Sequence, residues 1–354
     1  MTLASGTRAA NSDERARWGL AQFEIGTALG GASSPVEWAR DLAAVDAAEE
    51  MGLHSNWVPE MHFARGVTAS PLSALAAFAA RTTRIRLATT SVLLPIHDPR
   101  VLADEVAAVD RMSQGRLILG LGRGFRAPLF RAFGIDPRTK RDRFDACLDA
   151  MLEHWKQAQA REAEALKPSG SKLDSADALA HTRVRAPWQT PHPPLCVAAF
   201  GPLGLAQAAR RALPYLPSPL ESPPFLEANL ATHRSKLPDG IDPKSLVVPV
   251  MRTVHVAANE TDAEAVLDQL RREAKSMVSS TTRTPKALAA AANEDVRDRV
   301  VVGTVPQVTD AVGALRERLG MDLLIARTQL SGLDASARND SLARLVEDVW
   351  PALR

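Results

Sequence analysis

At four places in this sequence a capping residue and a proline stand together: Ser34-Pro35, Ser70-Pro71, Asp98-Pro99 and Gly201-Pro202. A capping residue satisfies helix-terminal amides. A proline at the first helical position has its φ preset and lacks only an N–H that would be unpaired anyway, so each pair predicts a helix start. Ser34 with Glu37 and Thr304 with Gln307 add the capping-box spacing. Ahead of these starts lie short apolar runs, at residues 23–28, 53–58, 85–94 and 195–199. Residues 117–121, 246–256 and 321–326 have the same character, and Tyr215-Leu216, inside a proline-rich stretch, would supply the remaining strand. Strand then helix, repeated to the end of the chain, predicts a parallel sheet covered by helices, and the number of units predicts a (β/α)8 TIM barrel with insertions. In a barrel of this kind the side chains at the carboxyl ends of the strands form the working face.

The 354 residues fit one such barrel over 20–354, preceded by a polar leader, 1–19, that reads as disordered. Residues 160–190, charged and carrying a KPSGSK turn, read as an insertion; 276–294, polar and then alanine-rich, read as a mobile loop. With 43 basic against 41 acidic residues there is no general attraction to nucleic acid or to an anionic membrane. No apolar run is long enough to span a bilayer, and the leader has no signal-peptide core. Cys147 and Cys196 lie in apolar patterns and make no disulfide framework, which fits a reducing cytoplasm. The histidines show no metal-ligand spacing. A doubly wound dinucleotide fold is the rival architecture, because Gly120-Leu121-Gly122-Arg123-Gly124 follows a strand. Its third glycine comes one residue early for G-x-G-x-x-G, and no ribose-binding acid follows.

Four segments at predicted strand ends carry the chemistry. Glu60 and His62, in WVPEMHF, place an acid and an imidazole where they can hold or protonate a ligand, or simply tie the strand end to neighbouring loops. Thr89, Thr90 and Ser91 break an apolar strand; buried hydroxyls need partners, from a ligand, a distorted backbone or the sheet itself. Arg123, between Gly122 and Gly124, is placed to clamp a phosphate, with a surface salt bridge as the plainer alternative. Gly201, Pro202, Leu203 and Gly204 open a helix whose amides and dipole favour an anion. Arg65, Arg126 and Arg252 also fall near strand ends or early loops and can favour an anionic substrate.

The order and spacing of these elements resemble the bacterial luciferase-like flavin monooxygenases. The match comprises an acid-x-His-Phe element, a strand ending in Leu94-Pro95, a His97-Asp98-Pro99 helix start, the D-x-M-S-x-G-R of residues 110–116, and the G-x-G-R-G of residues 120–124. The resemblance extends over roughly 23–354. It implies an oxidoreductase that oxygenates a small organic substrate with O2 and reduced FMN from a separate flavin reductase. It implies Arg123 and Gly201 to Gly204 at the flavin phosphate, and a bulge with a cis Thr90-Ser91 peptide beneath the ring. The catalytic histidine of luciferases falls on Met61 and the second family histidine on His62; the serine and threonine hydroxyls of the phosphate loop are replaced here by glycines, leaving backbone amides to bind. A homodimer is also implied, with apolar faces at 71–80 (Leu72, Leu75, Ala76, Ala79) and 99–112 (Val101, Val106, Val109) available to bury. The group includes F420-dependent oxidoreductases with the same barrel, which is the alternative cofactor; a non-catalytic flavin-binding protein is the alternative suggested by Met61.

Overall fold

The computed structural model describes residues 10–63, 66–165, 185–280, 294–330 and 332–354. Its strands are β1 (Glu24–Ala28), β2 (Ser55–Val58), β3 (Arg86–Thr89), β4 (Val92–Leu93), β5 (Leu117–Gly122), β6 (Leu195–Ala198), β7 (Tyr215–Leu216), β8 (Pro249–Val256), β9 (Val300–Gly303) and β10 (Leu323–Arg327). Every pairing among them is parallel, in the order β7-β6-β5-β3-β2-β1-β10-β8-β9, with β4 also on β5. The sheet curls until β7 lies beside β8, as the barrel predicted from the repeat requires, although these two strands do not pair. The helices are α1 (Ala10–Trp18), α2 (Pro35–Glu50), α3 (Pro71–Arg81), α4 (Pro99–Met112), α5 (Ala127–Ala132), α6 (Lys140–Ala165), α7 (Pro202–Ala209), α8 (Pro223–Arg234), α9 (Glu260–Ser280), α10 (Val305–Leu319) and α11 (Ala335–Arg344).

Strand alternation divides the core in two. Trp57, Ala88, Ile118, Cys196, Met251 and Ile325 point into the barrel and pack together. Their neighbours Val58, Leu87, Leu117, Leu119, Val197, Val250 and Leu324 point outward under the helices. The helix starts form where the sequence predicts: Ser34 and Glu37 bond reciprocally, Asp98 accepts from the amides of Arg100 and Val101, and prolines occupy the first turns; Ser70 is the exception as a cap, its hydroxyl pairing with Ser73 Oγ rather than with a helix amide. Both thiols are buried, and burial pushes Cys147 up to about 12. No helix among the described residues is long and apolar enough to cross a membrane.

Several expectations are corrected. The leader is ordered from Ala10: α1 closes the amino-terminal pole of the barrel, with Trp18 fully buried against Trp57, Leu323 and Val247 and Arg15 paired to Asp322. Residues 1–9 lie outside the described residues, as do 166–184 of the expected insertion and 281–293 of the expected loop. The edges of both segments are structured: α6 runs to Ala165, α9 runs to Ser280, and the Gln189 amides donate to Asp110. The seventh barrel position starts at Pro249 rather than 246, and β9 was not foreseen because V-V-V-G is too short to separate from its flanks. Arg252 alternates with inward-facing Met251 and so lies outside the barrel wall. It is 1% exposed beside Glu221, which accepts from Tyr215 and Asn229, and burial lowers its pKa to about 10. The faces assigned to a dimer are already used: Leu72, Leu75, Ala79, Val106 and Val109 are buried in the protomer's own core, because the single apolar stripe of a barrel helix faces the sheet. Val101 alone of these is exposed, and Ala76 is partly buried against the same core.

The D-x-M-S-x-G-R motif works at the pole away from the strand carboxyl ends. Arg116 donates to the carbonyls of Ala79, Thr82, Ile85 and Ser113 and to Thr82 Oγ1, and so fastens α3 to the starts of β3 and β5. Arg116→Ala leaves several carbonyls without their donor and should cost about 2–4 kcal/mol of folding stability in denaturant unfolding. A loss below about 1 kcal/mol would mean that water replaces the guanidinium without penalty.

Candidate active site

The strand that carries the hydroxyl run is broken at Thr90 and Ser91, whose peptide bond is cis. Register shows why β3 and β4 are separate: Ala88 pairs with Ile118 and Val92 with Leu121, so four steps on one strand face three on the other. That is a one-residue bulge at the carboxyl end of the barrel. Close approach is possible because the facing positions are glycines. A Cβ on Gly120 would lie 2.0 Å from the Thr89 carbonyl oxygen, and one on Gly122 would lie 2.0 Å from Ser91 Oγ. Thr89 takes the sheet alternative left open by the sequence, donating to the Gly120 carbonyl at 2.8 Å. Thr90 is partly exposed at the bulge, and its amide donates to the Val58 carbonyl.

Glu60 follows β2 and is enclosed by the bulged strand. Its Oε2 accepts from the Leu93 amide at 2.6 Å, while Oε1 accepts from His62 Nε2 at 2.7 Å and from His97 Nε2 at 2.9 Å. Burial works to raise its pKa, but the hydrogen bond and charge of His97, with the Leu93 and His62 bonds, hold it below the ordinary carboxylate value. Burial likewise opposes a charged His97, but the bond to Glu60 and the charges of Glu60 and Glu105 lift it above the ordinary imidazole value. With His62 Nε2 turned to the carboxylate, the neutral ring carries its proton there and Nδ1 is the free acceptor. The ring sits edge-on to Phe133 at 5.2 Å, with Phe63 5.8 Å away. Met61, Phe63 and Phe133 are exposed and give His62 an apolar rim.

Arg123, just past β5, is partly buried, and its Nε is a buried donor with no partner. Burial lowers its pKa, as does the charge of Arg141, with Asp145 opposing. Lys140 is lowered in the same way, by burial and then by Arg123 and Arg141. Three cations therefore crowd one place, and the nearby Asp145 already accepts from Gln207, Arg210 and Arg211. Gly204 in the first turn of α7 completes the cradle: a Cβ there would lie 2.1 Å from Arg123 Nη2. Mutually repelling cations, an orphaned guanidinium N–H and a helix start together fit a phosphate group. Among the described residues no cluster of metal-ligating side chains occurs.

The predicted residues thus come together through direct contacts between loops after β2, β3, β5 and β6: Leu93 on Glu60, Ser91 over Gly122, and Arg123 against Gly204. Arg126 does not join them; it is exposed at the start of α5, and Arg65 lies outside the described residues. Three site residues escaped the sequence reading. His97 was visible only as part of a helix-start motif. Lys140 and Arg141 were hidden in the charged start of α6, where solvated side chains are the usual outcome.

Comparison with known proteins gives a consistent result. The family model described as luciferase-like monooxygenase matches residues 19–323. Limonene 1,2-monooxygenase of Rhodococcus erythropolis is 37% identical over 114 residues, covering 32% of this chain and 29% of that protein. The oxygenating constituent of 3,6-diketocamphane monooxygenase of Pseudomonas putida, solved with FMN, superposes with a TM-score of 0.71 at 18% identity, covering 93% of this chain and 98% of that one. An F420-dependent secondary alcohol dehydrogenase, solved with an F420-acetone adduct, superposes with a TM-score of 0.64 at 19% identity, covering 94% and 99%.

Proposed function

We propose that this chain, which belongs to the luciferase-like monooxygenase family, binds reduced FMN in the mouth of its barrel and uses O2 to oxygenate a small organic substrate. The observation that carries the cofactor assignment is Arg123, a partly buried guanidinium with an unpartnered Nε, crowded by Lys140 and Arg141 and facing a helix start that has no Cβ in the way. In this reading Arg123, Lys140 and the amides of Gly201 to Gly204 hold the phosphate, and Thr90, Ser91 and Gly122 support the ring. Reduced flavin supplies two electrons to O2, so that one oxygen atom enters the substrate and the other leaves as water. His62, with its proton fixed on Nε2 by Glu60, accepts or returns a proton at Nδ1, and Met61, Phe63 and Phe133 keep bulk water from the reacting groups.

The reading includes a separate flavin reductase as the electron source, a homodimer, and a cytoplasmic setting that the two buried thiols support. A second reading, hydride transfer with F420, is supported by the likeness to the F420-dependent secondary alcohol dehydrogenase, since the cation cluster suits any phosphate-bearing cofactor. Anaerobic titration with FMN and with F420, followed by oxygen uptake with reduced FMN, separates the two. FMN should bind through its phosphate and substrate should be oxygenated with matching O2 consumption. Tight F420 binding with turnover in the absence of O2 would replace the first reading with the second, and O2 consumption uncoupled from any product would favour a flavin-binding protein.

A further inference from the structure

We propose that His97 is a positioning residue that acts on His62 through the single carboxylate oxygen the two imidazoles share. The proposal rests on the reading of His62 as the group that moves a proton. Both Nε2 atoms lie on Glu60 Oε1, at 2.7 and 2.9 Å. The carboxylate cannot turn to give each ring its own oxygen, because Oε2 is held by the Leu93 amide at 2.6 Å. Nor can water take the place of either imidazole easily, since the Glu60 side chain is fully buried.

The consequence is electrostatic. An oxygen that accepts from a charged His97 offers less negative charge to His62, and a second imidazolium would sit beside the first in a poorly solvated place. The two rings therefore titrate as a unit rather than as two sites. The charges facing His97 are Glu60 from the β2 exit and Glu105 from α4. Asp98, next in the chain, is engaged with Arg100 and the first amides of α4, and Arg143 of α6 donates to the Pro95 carbonyl. The groups packed on His62 are the rings of Phe63 and Phe133. His97 also remains partly open to solvent on a 29% exposed side chain, so a proton can enter the cluster there. The His-Asp-Pro order produces this placement: Asp98 caps α4 and leaves His97 extended, with its ring returned to the β2 exit.

The test is an NMR titration of the histidine rings in the full-length protein, as wild type, His97→Gln, Glu60→Gln and the double variant. In wild type each ring should report two inflections, its own and its partner's; two independent single-site curves would overturn the proposal. In His97→Gln the His62 curve should move to higher pH, because the whole carboxylate charge then acts on it. In the Glu60→Gln background the same substitution should move it by less, since only the direct repulsion between the rings is then removed, and an undiminished shift there would mean that His97 acts by another route. The wild-type arm stands even if a variant fails to fold. A pH profile of turnover separates the proposal from the reading it rests on. If the His62 curve and the profile move together, both hold; if only the His62 curve moves, the coupling stands and the catalytic role of His62 falls.

Discussion

His62→Asn should lower turnover with reduced FMN by about 10²- to 10⁴-fold, the range lost when a positioned acid–base group is removed. FMN affinity should be nearly unchanged. The separation is expected because the imidazole and the phosphate cradle are built by different loops: His62 follows β2, whereas Arg123 follows β5 and Gly204 opens α7. Asparagine keeps a polar group near Glu60, so the buried carboxylate retains a donor and the fold a reason to persist. It has no titratable nitrogen in place of Nδ1. Stopped-flow kinetics of the variant with reduced FMN, O2 and a turned-over substrate would measure the effect. A loss of less than about tenfold would show that His62 only ties the strand end to its neighbours, the plainer of the two roles its sequence position allows.

Arg123→Ala should weaken FMN binding by about 1.5–3 kcal/mol, roughly 10- to 150-fold, the size of a charged hydrogen bond left unmade. Riboflavin, which has no phosphate, should lose almost nothing. Comparing the two ligands by fluorescence titration distinguishes a phosphate contact from general damage, since damage would weaken both alike. Gly204→Ala provides an independent route to the same result. The new Cβ would lie 2.1 Å from Arg123 Nη2, the far end of a flexible side chain that can swing away, and 3.1 Å from Ala199 Cβ, which must give slightly. It should therefore weaken FMN selectively, with at most a small loss of thermal stability. Equal losses for FMN and riboflavin in both variants would move the phosphate elsewhere.

Much of the barrel was legible in the sequence because its signals are local. A cap, a proline and an apolar run each act over a few residues, and their repetition admits few folds. Thr90-Ser91 and the glycines at 120 and 122 are also local features, and the bulge and close approach they accommodate are present. The ordered start of α1 was not legible. Its sequence is polar, and what anchors it joins residues far apart in the chain: Trp18 in the barrel, the Arg15–Asp322 pair and the Arg17 bond to the His192 carbonyl. The dimer faces failed for a related reason. A helix sequence shows that an apolar stripe exists but not which body covers it, and here the barrel's own sheet does.

The site divides in the same way. Sequence by itself determined that Glu60, His62, Arg123 and the Gly201 to Gly204 loop stand at strand ends, because position along a strand follows from the chain alone. Only the tertiary structure decided that one oxygen of Glu60 serves two histidines, that His97 is one of them, and that Lys140 and Arg141 crowd Arg123. Shared acceptors and like-charge crowding depend on distances between side chains that lie as many as 37 residues apart in the chain. Those distances are set by how the strands pair and where the bulge turns the backbone, and no short-range pattern records them.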